Sequence, residues 1–351
     1  MPTYALLADL AVEIESYELE RLEQPVSTEF TRVTTVIHLR GGGEEGVGED
    51  VTYTPEDQTA FQEHGRELPI TGTHALDSFS ELVRRLELFP SGPTIEASLD
   101  YRRWAFESAA LDLALRQAGR SLAEAVGREP RPVRYVVSMR LSEPPATDRI
   151  RGWLEVYPGL QFKLDPQSSW DDDFVAELAS LGVVESLDLK GQYKGTVVDQ
   201  PADPALYRRL VEAFPAAFLE DPALTEETDA ILKPHRGRIT WDAIIHSVDD
   251  IRALPFPPRT INIKPSRFGS IRRLTEAVEY CAEQGIRPYG GGQFELGPGR
   301  GQIQYHASLF HPDTPNDVAP GGFNLPEPRP GLPTSPLKPS PEPTGFRWKA
   351  A

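Results

Sequence analysis

Five charged residues recur in this chain about one strand plus one helix apart: Lys163, Asp188, Glu220, Asp242 and Lys264, separated by 25, 32, 22 and 22 residues. Each has apolar neighbours that would face the other way from a strand: Phe162 and Leu164, Leu187 and Leu189, Leu219, Ile239 and Trp241, Ile261 and Ile263. The five charges should therefore converge. Three carboxylates brought to one point repel each other and hold their protons more tightly unless a cation sits among them. Oxygen donors without cysteine or histidine suit Mg²⁺, with water or substrate completing its shell. A lysine beside such an ion would have its pKa lowered and could act as a base. The ion would take the charge of a substrate carboxylate as it becomes an enediolate. Singly, the acids have plainer readings. Asp188 could pair with Lys190, Asp242 could cap a helix, and Glu220 could be a loop acid before Pro222. Their common phase on successive strands favours one shared site.

Such convergence needs a scaffold that brings strand ends together. From about Val133, short apolar or alternating runs (RYVVSMRL, GLQFKLD, VESLDLKG, AAFLEDP, RITWDAII, RTINIKP, IRPYGGG) alternate with segments of helical spacing such as DPALYRRLVEAF and IRRLTEAVEYCAEQG. Repeated strand–helix alternation predicts parallel strands with crossover helices, and the number of units fits a (β/α) barrel with its site at the carboxyl-end rim. No GxGxxG follows the first strand, which removes the main support for a dinucleotide fold.

Upstream lies an α+β unit over residues 1–125. AVEIESYELE and FTRVTTVIHLRG alternate as strands, GGGEEGVGED reads as a hairpin or loop before a strand-like VTYTP, and SFSELVRRLELF and YRRWAFESAALDLALRQAG read as helices, the second stopped by Gly119. The barrel domain spans 126–324, and the Pro-rich segment 325–351 reads as an extended or mobile tail.

Composition narrows the partners. A net charge of −17 over 351 residues argues against nucleic acid, and the single cysteine, Cys281, excludes an intrachain disulfide and a thiolate cluster. The first residues carry acids where a signal would carry bases, and no long uncharged apolar run occurs. The reading is a cytoplasmic protein without a membrane partner, acting on a small-molecule carboxylate substrate, with a homo-oligomer left open.

The motifs resemble the enolase superfamily, in its branch of muconate lactonising enzymes and o-succinylbenzoate synthases, over residues 30 to 325. The resemblance implies a modified (β/α)7β TIM barrel under an N-terminal α+β capping domain, and Mg²⁺-dependent removal of the proton α to a carboxylate. Asp188, Glu220 in FLEDP and Asp242 in TWDA match the three metal ligands. Lys264 in INIKPSRFGS matches the sixth-strand base, and Glu295 in GGQFELGPGRG matches the acid after the seventh strand. The absence of histidine from YGGGQFELG makes this chain unlike the mandelate racemase branch. The resemblance also implies that loops near Gln24–Thr28 and Tyr53–Glu56 close the pocket.

Three departures bear on the reaction. The family's second strand ends Lys-X-Lys, whereas FKLD keeps Lys163 and puts Asp165 where the second lysine belongs. Lys190 stands where an Asn is common, and Ala243 where an acid is common. With Lys264 the remaining base and Lys163 an electrostatic aid, one-base β-elimination or cycloisomerisation is favoured over two-base racemisation or epimerisation. Asp165 could be a second acid/base, but its pKa should be depressed by Lys163, so it is placed with Glu295 among the substrate-binding residues. A barrel that binds metal and ligand without turnover, and a partner-binding role through the Pro-rich tail, are the readings from other classes. GPGRG (residues 297–301) could be an anion-binding loop or a plain turn, and His246 and His306 read as structural.

Overall fold

The structure is a computed structural model that describes residues 1–26, 30–196 and 198–349. Thr28, the end of one expected pocket loop, lies outside the described residues. In the cap, strands β1 (Ala11–Ile14), β2 (Ser16–Pro25), β3 (Thr31–Gly41), β4 (Glu44–Asp50) and β5 (Gly72–Ala75) form two antiparallel sheets, β2-β3-β4 and β1-β5. Helices α1 (Pro55–His64), α2 (Leu76–Arg85), α3 (Ser98–Gln117) and α4 (Leu122–Val126) complete it.

The glycine-rich segment read as a hairpin or loop is a hairpin, turned at Gly42 and Gly43, whose second arm is strand β4, while VTYTP, read as strand-like, is the lead into α1. The reason is packing. Helix α3 lies so close over β4 that a Cβ at Gly46 would sit 2.2 Å from the Ala109 carbonyl oxygen, and one at Gly48 2.0 Å from that of Ala105. Only glycine lets a helix backbone rest directly on this strand.

The second domain is the barrel. Its parallel strands are β6 (Val137–Met139), β7 (Phe162–Leu164), β8 (Val184–Asp188), β9 (Phe218–Glu220), β10 (Ile239–Thr240), β11 (Thr260–Ile263) and β12 (Arg287–Gly290). The Asn262 N–H donates to the Trp241 carbonyl at 2.9 Å, joining β11 to the end of β10. Residues Asn316 and Asp317 close the ring: Asp317 pairs in parallel with Gly291, and Asn316 with Tyr135. Between and after the strands run α5 (Asp148–Val156), α6 (Asp172–Ser180), α7 (Pro204–Ala213), α8 (Glu226–Leu232), α9 (Val248–Arg252), α10 (Pro265–Phe268), α11 (Ile271–Gln284) and α12 (Pro298–Phe310). Asp171 caps α6 by accepting from the Phe174 N–H at 2.9 Å.

Two buried glutamates of the cap plug helix N-termini of the barrel. Glu49 accepts from the backbone N–H groups of Leu296, Gly297 and Gly299 at 2.6 to 3.1 Å, at the start of α12. Glu107 accepts from the Ile271 N–H at 2.9 Å, at the start of α11. Unpaired N–H groups and the dipole make such termini natural seats for a carboxylate. GPGRG is thus the first turn of a helix, and the anion it holds is the chain's own Glu49.

The Pro-rich tail is extended, as expected, but it is fastened. Leu337 pairs with Val133 beside the barrel, Gly345 pairs with Ser121, and Leu337, Phe346 and Trp348 are buried. Trp348 packs on Tyr305 of α12, while Arg347 and Glu342 pair with Asp112 and Arg116 of α3. The tail therefore straps barrel to cap. Among the described residues no helix is long and apolar enough to cross a membrane.

Candidate active site

Each charge of the sequence motif falls at a carboxyl-end of the barrel. Lys163 is the middle residue of β7, Asp188 and Glu220 are the last residues of β8 and β9, Asp242 follows β10 by two positions, and Lys264 follows β11 directly. Register explains the convergence, since Asp188 pairs with Glu220 across parallel neighbours. Asp188, Glu220 and Asp242 are all fully buried, and one oxygen of each lies within 4.8 Å of the others.

Cations flank this cluster. Lys163 Nζ contacts Glu220 directly and lies 3.3 Å from Asp188 Oδ2 and 3.5 Å from Asp317 Oδ2. Lys264 Nζ donates to Asp242 Oδ2 at 2.8 Å, and the Arg267 guanidinium donates to Asp242 Oδ1 at 2.9 Å. Lys190 Nζ lies 2.5 Å from Asp188 Oδ2, so the plain pairing considered for Asp188 is present beside the shared site. Tyr289 donates to Glu220, and Tyr193 donates to Asp242 at 2.9 Å. Room for Lys264 depends on Gly291, where a Cβ would lie 2.6 Å from the lysine Cε.

Crowded buried acids shift one another. Burial and the neighbouring carboxylates push Glu220 up to about 8 despite Lys163. Burial, Asp242 and Asp188 push Asp221 up to about 7. Asp221 also takes the backbone N–H groups of Asp242 and Ala243 at 2.8 and 2.7 Å, a partner no spacing argument pointed to. Burial opposes charge on Asp242, yet Arg267 and Lys264 hold it well below the usual carboxylate range. Lys190 and Lys163 likewise bring buried Asp188 down to about 2. Burial disfavours charge on Lys163 as well, but Glu220, Asp188 and Asp317 outweigh it and raise its pKa well above the ordinary lysine value. The lowering expected for a lysine presumed a bound cation; the acids by themselves do the opposite.

Asp165 corrects a second expectation. Its pKa was to be depressed by Lys163; burial dominates and raises it, against Lys190 and Lys163. Glu295 is buried and turned to its own loop, accepting from the Gln293 N–H at 2.6 Å and pairing with Arg300 at 3.1 Å. The cap reaches this loop through buried Arg32, which donates to the carbonyls of Val51, Thr52, Gln293 and Phe294 and stacks on Tyr53 at 4.3 Å. His246 and His306 stay out of the cluster, bound to backbone carbonyls and to His311 respectively.

The donor set fits Mg²⁺. Three hard oxygen ligands converge, each with an oxygen within 4.8 Å of the others and with no thiol or imidazole among them. In the comparison with protein families, the domain of unknown function (DUF8230) C-terminal domain matches residues 129–325, and the DUF8230 N-terminal domain matches residues 5–125. The chain belongs to the DUF8230 family.

This DUF8230 protein is 25% identical over 335 residues to an o-succinylbenzoate synthase of Geobacillus kaustophilus, covering 88% of this chain and 85% of that one. Its fold is that of a dipeptide epimerase from Methylococcus capsulatus solved with a Mg ion (TM-score 0.68, 21% identity, 89% of this chain and 91% of that one). It is also that of a muconate cycloisomerase from Pseudomonas fluorescens (TM-score 0.66, 18% identity, 97% and 95%). The DUF8230 chain is thus an enolase-superfamily protein of the muconate-lactonising branch, with the capped barrel that the motifs implied.

Proposed function

We propose that this protein is a Mg²⁺-dependent lyase or isomerase that removes the proton α to the carboxylate of a small-molecule substrate. One observation carries the reading: the buried acids Asp188, Glu220 and Asp242 converge with Lys163 and Lys264 both against them. Mg²⁺ held by those acids would neutralise the substrate carboxylate and the charge that builds on it as the proton leaves. Lys264 takes the proton at Nζ, and Gly291 keeps the space in which that side chain moves. Lys163, kept charged by its acidic neighbours, attracts the substrate carboxylate and holds it in place. The cap excludes water through the Tyr53 loop that Arg32 ties to residues 293–294.

With one lysine placed as base, β-elimination or cycloisomerisation is the favoured chemistry. Epimerisation has one observation on its side: Asp165 stands at the rim end of β7 beside Lys190, where a second group could face the substrate. Proton NMR in D₂O with a library of small carboxylates tests the reading. Exchange of the α-proton should require Mg²⁺ and vanish in Lys264→Ala; if the wild type exchanges no acid in the library, the enzyme reading fails. A Mg²⁺-dependent rise in Tm, lost in Glu220→Ala, tests the metal site without turnover.

A further inference from the structure

Two departures from the family's motif turn out to be neighbours. Asp165 follows β7 and Lys190 follows β8, and these strands are parallel partners in register at Leu164 and Leu187. Lys190 Nζ lies 3.7 Å from Asp165 Oδ1, too far for a hydrogen bond. Among the described residues nothing donates a hydrogen bond to the Asp165 carboxylate, which has room for about four. Both side chains reach the open side of the rim, 18% and 15% exposed, whereas Lys163 beside them is 2% exposed. Lys190 also holds a backbone φ of +54°, left-handed for a non-glycine residue, in the turn that aims it there. Its other neighbours are Asp188, whose oxygens the cation needs, and the Tyr193 ring at 4.8 Å.

A lone lysine at the second-strand end would invite an anion. A carboxylate and an ammonium side by side invite a neutral group that both donates and accepts. A hydroxyl fits best, since its oxygen can stand about 2.8 Å from two atoms this far apart. The usual trans amide cannot, because its N–H and C=O point in opposite directions. A second carboxylate would be repelled by Asp165.

We propose that Asp165 and Lys190 together bind a hydroxyl, or a vicinal diol, of the substrate, Asp165 accepting the O–H and Lys190 donating to the oxygen. The substrate class is then a hydroxylated carboxylate such as an aldonic acid. This rests on the α-proton reading of the site and leaves Asp165 bound to substrate instead of carrying a proton.

Calorimetric titration in saturating Mg²⁺ tests it with three six-carbon kinds of acid: a panel of aldonates, hexanoate and adipate. The aldonate that fits should bind at least about tenfold tighter than hexanoate, and adipate no tighter than hexanoate. Asp165→Asn and Lys190→Met should each erase most of the aldonate advantage. Asp165→Asn should also let adipate bind better. If every aldonate binds the wild type no tighter than hexanoate, or if both folded variants keep the advantage, the assignment is overturned. The wild-type ordering decides even if a variant fails to fold. A Mg²⁺-induced rise in Tm without any acid reports on the metal site alone, so its failure is separable from failure of the hydroxyl assignment.

Discussion

The joint between cap and barrel can be probed through one proton. Glu107 on α3 is buried against the first turn of α11, with the Ile271 N–H on one oxygen and Ser80 donating to the other. Burial pushes its carboxyl from the ordinary 4.5 up to about 7, although both hydrogen bonds pull the other way. An acid that binds its proton more tightly when folded gives stability that is whole below the unfolded pKa and lost as pH rises through the folded one. The window is therefore pH 4.5 to 7, and a shift of 7 − 4.5 = 2.5 corresponds to about 3 kcal/mol at about 1.4 kcal/mol per unit. Glu107→Gln keeps the shape and an acceptor for Ile271 but buries no charge. Urea unfolding followed by circular dichroism should place variant and wild type within about 1 kcal/mol of each other at pH 5. By pH 8 the variant should lead by about 2–3 kcal/mol. Only the difference between the two proteins is read, so the other titrating acids cancel. A difference that stays flat with pH, or a wild type ahead at pH 8, would refute burial as the dominant influence on this carboxyl.

Other sites make equally definite demands. Glu49→Ala strips the partner from three backbone N–H groups and should cost about 3–5 kcal/mol in the same assay, with Glu49→Gln costing clearly less. Trp348→Ala, which opens a hole against Tyr305 in the strap, should cost about 3 kcal/mol and lower Tm by several degrees. Gly291→Ala should displace Lys264 and cut α-proton exchange at least about tenfold, while the Mg²⁺-dependent gain in Tm persists. If exchange and stability fall together, Gly291 serves packing alone.

Much of the site was legible because parallel strands deliver one inward charge per strand–helix unit. Asp188, Glu220, Asp242 and the two lysines each follow that rule, and the register of β8 on β9 then does the rest. What escaped lies off the rule. Asp317 closes the ring through a single isolated bridge to Gly291, too short for any periodicity to show. The pairing of Lys190 with Asp188 was readable, but its approach to Asp165 was not, because Lys190 leaves the strand through a left-handed turn whose direction composition does not report. Arg267 lies three residues after Lys264 and Tyr289 opens the YGGG segment, but their bearing on Asp242 and Glu220 exists only after the barrel closes. In the cap, glycines that usually mark loops built strand β4, because what mattered was the helix resting on them. The tail misled for a related reason: proline forbids regular structure but not attachment, and side chains such as Trp348 supplied the attachment.

The strap has a consequence for how the molecule is made. The cap emerges from the ribosome before the barrel, which follows as a unit of its own. Yet Asp112 and Arg116 of α3 receive their partners Arg347 and Glu342 only when that later segment appears. A chain stalled or clipped after residue 325 would keep the ties of Arg32, Glu49 and Glu107 to the barrel but lose those of Glu342 and Arg347 to α3, leaving the cap over the acidic cluster with fewer fastenings.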